Sequence, residues 1–163
     1  MLLDLRGIIG VPGGEVPFDY EPDLTDMTAG SVIGFERPSR AAGSVCNRAG
    51  VLTFLANVDA VCTAVCARCL TEFKSPVHKR ISTVIVEGEE SENPDCYFLI
   101  GDKVCVDEII TTELILGMEE RLLCDEDCAG LCQKCGVDLN KGSCTCERDV
   151  DPRLAALQQL LDD

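Results

Sequence analysis

The stretch VLTFLANVDAVCTAVC, residues 51–66, decides the fold. Leu52, Phe54, Ala56, Val58, Ala60, Cys62 and Ala64 fall on one side of an alternation, with Thr53, Asn57, Asp59 and Thr63 on the other. Successive side chains on a strand point to opposite faces, so a period of two with one apolar side marks a half-buried β-strand. Working outward, residues 32–36, 44–48, 79–87 and 96–100 read as further strands. The connections between them are short, which favours antiparallel pairing. Residues 1–30 carry the turn signals Pro12-Gly13-Gly14 and Glu21-Pro22-Asp23 and read as an extended lead-in with one short strand. Residues 87–95 form an acidic loop with no apolar face. Asp107 reads as the N-cap of a helix that continues to about Glu120, with Ile109, Ile110, Leu114 and Leu116 among its apolar residues and Gly117 weakening its last turn. Asp151-Pro152 starts a short terminal helix with Leu154, Leu157, Leu160 and Leu161 as its stripe. The expectation is an α+β fold: an antiparallel β-rich domain over residues 1–122 with one packed helix, a cysteine-rich, zinc-knuckle-like segment over 123–150, and the terminal helix over 151–163.

The chain has 163 residues and is 46% hydrophobic, but only seven residues are aromatic and none is Trp. Its core must come from Val, Ile, Leu, Ala and Cys, and a core this thin leaves room for metal to stabilise the fold. Met1-Leu2-Leu3-Asp4-Leu5-Arg6 lacks the basic and long apolar regions of an export signal. No apolar run reaches the roughly 18 residues of a membrane span. A cytoplasmic protein with reduced thiols is expected, one that holds neither a membrane nor a small-molecule substrate.

That setting decides how twelve cysteines are read. Six lie in CDEDCAGLCQKCGVDLNKGSCTC, residues 124–146. Cys132 and Cys135 form a CxxC followed by Gly136, and Cys144 and Cys146 form a CxC after a turn-forming stretch. Two close thiol pairs joined by a short polar turn present four sulfurs to one tetrahedral ion, the arrangement zinc takes in structural sites. Gly136 lets the backbone fold over the ion. Cys66-Ala67-Arg68-Cys69 is a second CxxC, at the end of the long strand. Cys124 and Cys128 are the available partners for a second site, although Cys128 also stands close enough in sequence to serve the first. The competing reading is a thiol oxidoreductase using Cys66 and Cys69, which would place the pair at a helix start. Cys46, Cys62, Cys96 and Cys105 sit in strand-like contexts and read as small buried hydrophobes. His78 is the one histidine, and no phosphate-binding loop or nucleophile elbow accompanies it, so the chain reads as non-enzymatic.

Net charge is −15, and it is segregated. Residues 1–36 carry one Arg against seven acids, residues 37–80 carry seven Lys and Arg against two acids, and residues 81–163 carry six Lys and Arg against twenty acids. The overall field repels nucleic acid and attracts basic partners. The embedded cations Arg37, Arg40, Arg48, Arg68, Lys74, Lys79 and Arg80 either balance nearby acids or form a patch that faces phosphate or another partner.

The order of these features resembles the YceD family, the large ribosomal RNA subunit accumulation proteins. The resemblance rests on CxRCL at Cys66, Arg68, Cys69 and Leu70, on LC-x3-C-x-GLC-x2-CG-x-DLN from Leu123 to Asn140, on Cys144-x-Cys146, and on DPRLAALQQLL at 151–161. It covers roughly residues 50–163. It implies a bacterial cytoplasmic protein needed for normal levels of large-subunit ribosomal RNA, with no known enzymatic activity. Large-subunit ribosomal RNA and a basic ribosomal protein are the two partners it suggests.

Overall fold

A computed structural model describes residues 1–86 and 96–146. In chain order its elements are β1 (Leu2–Asp4), β2 (Glu15–Tyr20), β3 (Val32–Arg48), β4 (Val51–Val65), β5 (Glu72–Val86), β6 (Tyr97–Phe98), β7 (Lys103–Cys105) and α1 (Val106–Gly117). A five-stranded sheet has the order β2-β3-β4-β5-β6, and β1 pairs with β7 in a small second sheet. The alternation in β4 is real: Leu52, Phe54, Ala56, Val58, Ala60, Cys62 and Ala64 are all buried on one face. At about 3.3 Å per residue the three central strands are roughly 50 Å long.

The buried face is closed by α1 and by the N-terminal segment. Ile109, Ile110 and Leu114 of α1 are fully buried, as is Leu5, and side chains of this size contribute about 1.5–3 kcal/mol each when removed from water. Phe54 stacks on Phe18 with centroids 5.3 Å apart, and Phe18 meets Tyr20 edge-on at 6.3 Å. Gly43 makes this layer possible, because a Cβ there would lie 2.7 Å from Ala56 Cα. Asn47 ties the layers together. Its buried Nδ2 donates to Ile8 O at 2.7 Å and Ile9 O at 3.0 Å, while its Oδ1 accepts the Gly50 N–H at 2.8 Å. Ala49 and Gly50, at φ 52° and 92°, make the two-residue turn between β3 and β4, a geometry that matches strand twist.

Several expectations change. The strands expected at 32–36 and 44–48 are one strand, β3, because the Pro38 region is absorbed as a register shift between Glu36 and Arg40. The strand expected at 79–87 starts at Glu72, and Pro76 is tolerated there because, among the described residues, that part of β5 pairs only with β4. The lead-in holds two strands, not one, and the strand expected at 96–100 shrinks to β6, which runs parallel to β5. Cys105, not Asp107, caps α1. The Asp107 carboxylate instead accepts the Tyr20 hydroxyl at 3.0 Å and pairs with the Met1 ammonium. The helix stops at Gly117 rather than near Glu120. Met118 turns extended there, and beside the helix end the Lys79 side chain fills the space a Cβ on Gly117 would take, bringing positive charge near the negative end of the helix dipole. The acidic loop at 87–95 and the helix expected at 151–163 lie outside the described residues.

Candidate metal centres

The turn between β4 and β5 carries Cys66 and Cys69. The Cys66 N–H donates to Thr71 O at 3.0 Å, the Leu70 N–H donates to Cys66 O at 2.9 Å, and Leu70 itself takes φ 59°. This tight knuckle turns both thiols away from the strand ends toward the segment after α1. There the Cys128 N–H donates to Asp125 O at 3.1 Å, and the Asp127 N–H donates to Asp125 Oδ1 at 2.9 Å, curling Cys124 and Cys128 back to meet them.

The two pieces are sewn together by main-chain contacts. The Ala67 N–H donates to Leu122 O at 2.9 Å and the Leu131 N–H to Arg68 O at 3.2 Å. Arg68 Nη1 donates to Cys128 O at 2.9 Å and Glu126 O at 3.3 Å. Gly130, at φ 73°, lies so close that a Cβ would sit 3.0 Å from Arg68 O.

All four sulfurs of Cys66, Cys69, Cys124 and Cys128 lie within 4.8 Å of one another. Cys66 Sγ is 3.8 Å from Cys128 Sγ, and Cys69 Sγ is 3.6 Å from Cys124 Sγ. Thiolates at about 2.3 Å from a tetrahedral zinc stand about 3.8 Å apart, so these separations suit such an ion. Three of the four residues are buried and Cys124 is exposed. Burial pushes the Cys66 thiol up, but N–H groups of Cys124, Cys69 and Arg68 directed at its sulfur outweigh this and bring it to about 6. The Thr71 hydroxyl and N–H lower Cys69. Cys124 is pushed up to about 12, first by the Cys69 thiol beside it and then by burial. Four sulfurs this close cannot all carry charge without a cation among them.

Cys132, Cys135, Cys144 and Cys146 form a second cluster, again with all sulfurs within 4.8 Å. The Gly136 N–H donates to Cys132 O at 2.9 Å and the Cys132 N–H to Val137 O at 2.9 Å. Gly136 sits at φ 72° with open space around it, so glycine is needed there for backbone conformation and not for room. The N–H groups of Cys135 and Lys134 hold Cys132 at about 6, while the Cys135 thiol, then burial, pushes Cys146 up to about 12. This cluster is more open than the first, with Cys135 exposed.

The remaining cysteines and cations are placed as follows. Cys62 is buried, whereas Cys46, Cys96 and Cys105 are only half-buried, since they lie off the main core face. Cys66 and Cys69 sit in a turn between strands and not at the start of α1, unlike the geometry an oxidoreductase pair requires. Of the embedded cations, Arg37 pairs with Asp23, Arg40 with Asp19 and Lys74 with Glu36. Arg68 is spent on carbonyls of the first cluster, and Lys79 lies against Gly117 at the end of α1. Arg48 and Arg80 are exposed on the sheet. His78 Nδ1 lies 2.7 Å from Asp59 Oδ1 on the same outer face. The sequence marks Asn140 only as part of a turn-forming stretch and gives no sign of the role of Asn47.

A long-stranded sheet carrying two four-thiol clusters defines a small cysteine-rich α+β protein. Residues 55–161 match the family described as large ribosomal RNA subunit accumulation protein YceD, and the chain belongs to that family. Among curated proteins it is similar to uncharacterized proteins of Mycobacterium tuberculosis and Mycobacterium bovis, each 29% identical over 105 residues, covering 59% of this chain and 49% of the relative. The chain thus matches about half the length of these relatives. No solved structure matches it. Among the described residues no helix is long and apolar enough to cross a membrane.

Proposed function

We propose that this protein is a non-enzymatic, cytoplasmic factor in the accumulation of large-subunit ribosomal RNA. It carries zinc at both thiol clusters and acts by binding a basic ribosomal protein through its acidic surface. The family's description supports the ribosomal setting. The zinc reading is supported by the all-thiolate donor sets and by sulfur separations of 3.6 and 3.8 Å in the first cluster. A zinc ion held by all four sulfurs of either cluster would have no open coordination position, which supports a structural role.

The choice of partner rests on one observation. Four of the seven embedded cations are already engaged with acids or carbonyls of the same chain. More than half of the segregated cations are thus paired within the fold, while the chain as a whole carries a net charge of −15. Such a surface suits a basic protein better than phosphate.

The experiment compares Glu119→Lys with Glu120→Lys against Arg48→Glu with Arg80→Glu, measuring association with purified basic large-subunit proteins and with ribosomal RNA fragments across a salt series. Loss of protein binding in the acidic-surface variant alone supports the reading. RNA binding that is lost in the arginine variant, with a salt slope reduced by about two charges' worth, would instead favour direct RNA contact.

A further inference from the structure

Asn140 belongs by sequence to the second cluster, since it lies between Cys135 and Cys144. Its side chain serves the first. Asn140 Nδ2 donates to Cys128 Sγ at 3.4 Å and to Asp138 Oδ1 at 2.8 Å, and its Oδ1 accepts the Ala129 N–H at 2.7 Å. Asp138 fixes this orientation, because the same Oδ1 also accepts the Asn140 N–H at 3.0 Å while Oδ2 pairs with Lys141 at 3.1 Å.

The backbone around Asn140 leaves it little freedom to act alone. Leu131 and Asp138 form a β-bridge, and the Leu139 N–H donates to Gly130 O at 2.9 Å. The loop that carries Asn140 is bounded on one side by the Cys132–Cys135 turn and on the other by Cys144 and Cys146. An ion held by those four sulfurs closes the loop at both ends. Closing the loop in this way would keep the carboxamide against Cys128. An N–H donor at a metal-bound thiolate offsets the excess negative charge of a four-thiolate site, and such supporting contacts change metal affinity about 10–100-fold.

We propose that Asn140 is a positioning residue that couples the two clusters: metal at Cys132, Cys135, Cys144 and Cys146 holds the Asn140 carboxamide on Cys128 and thereby tightens metal binding at Cys66, Cys69, Cys124 and Cys128. The inference rests on the metal reading given above. Coupling of this kind is reciprocal, so metal at the first cluster tightens the second by the same factor.

Cobalt(II) is the probe, read through its thiolate charge-transfer absorption during competition with a chelator, on the full chain. Asn140→Ala should weaken binding at the first cluster about 10–100-fold. Cys132→Ser with Cys135→Ser, which disables the second cluster, should weaken the first to a similar extent. Combining these changes should cost no more than either alone, because both remove the same contact. Asn140→Asp keeps an acceptor for the Ala129 N–H and removes the donor to sulfur. An equal or greater loss in that variant assigns the effect to the N–H···S contact and not to loop unfolding. Two cobalt ions bound with unchanged first-cluster affinity in Asn140→Ala and Asn140→Asp would overturn the coupling and leave the metal reading standing. Strictly additive losses in the combined variant would also overturn it. No cobalt bound by the unmodified chain would overturn both.

Discussion

Asn47 shows how much one side chain can organise in this chain. It satisfies two carbonyls of the N-terminal segment and one N–H of the β3–β4 turn from a buried position. Asn47→Ala removes the side-chain donor to Ile9 O and leaves Ile8 O with the Val11 N–H alone, and an unsatisfied group in such a position costs about 1–3 kcal/mol. Urea unfolding should show a lowered midpoint with an unchanged slope. Gly43→Val is the complementary case. Its side chain meets the β4 backbone at Ala56, and overpacking against main chain costs about 1–3 kcal/mol or more, read by the same titration. Neither role was legible in the sequence. The partners of Asn47 lie 38 and 39 positions away, and Gly43 looks like any glycine in a strand until its neighbour's register is known. The β4 face was legible because each of its residues reports its own burial through local alternation. The cysteine groupings were legible for a related reason: close spacing brings each pair together whatever the rest of the chain does.

At the scale of elements, the first cluster joins two pieces that are otherwise held by a few hydrogen bonds around Ala67 and Arg68. It sits where β4 turns into β5, and its other half follows α1. Cys66→Ser should therefore free residues 122–131 from the knuckle and raise hydrogen exchange at Ala67, Arg68 and Leu131 together. Cys135→Ser should raise exchange over 132–146 only, with the sheet and the first knuckle largely protected. Elemental analysis should find about one zinc per chain in either variant against two in the unmodified protein, in protein purified without added metal. Uniform exchange changes across the sheet in Cys135→Ser would contradict this division. The boundaries of β3 and β5 escaped sequence reading for a physical reason. Pro38 and Pro76 both signal interruption, yet among the described residues both lie where β3 or β5 lacks a second paired neighbour, so neither removes a ladder bond seen there. The cap of α1 escaped because Asp107 has stronger partners in Tyr20 and the Met1 ammonium, neither of which is near it in sequence.

For the whole molecule, metal and charge act on different properties. A strong chelator should lower the unfolding midpoint, since a ligand present at a thousandfold over its dissociation constant contributes about 4 kcal/mol per site. Far-ultraviolet circular dichroism below the new midpoint should keep its strand signature, because the sheet core contains no residue of either cluster. Loss of all strand signal on chelation at room temperature would show that the sheet depends on the ions. Charge should matter mainly for association: partner binding by the acidic surface should weaken as salt screens it over about 8–10 Å. The first cluster also carries a consequence for how the chain is made. Cys66 and Cys128 are 62 positions apart, while β3, β4 and β5 pair with their sequence neighbours. During synthesis the hairpins can zip as they emerge, but the knuckle remains a half-site with two thiols until residue 128 has left the ribosome. Completion of the fold is thus timed by the late part of the chain, and until then Cys66 and Cys69 form an open dithiol that other cellular ions or oxidants can reach.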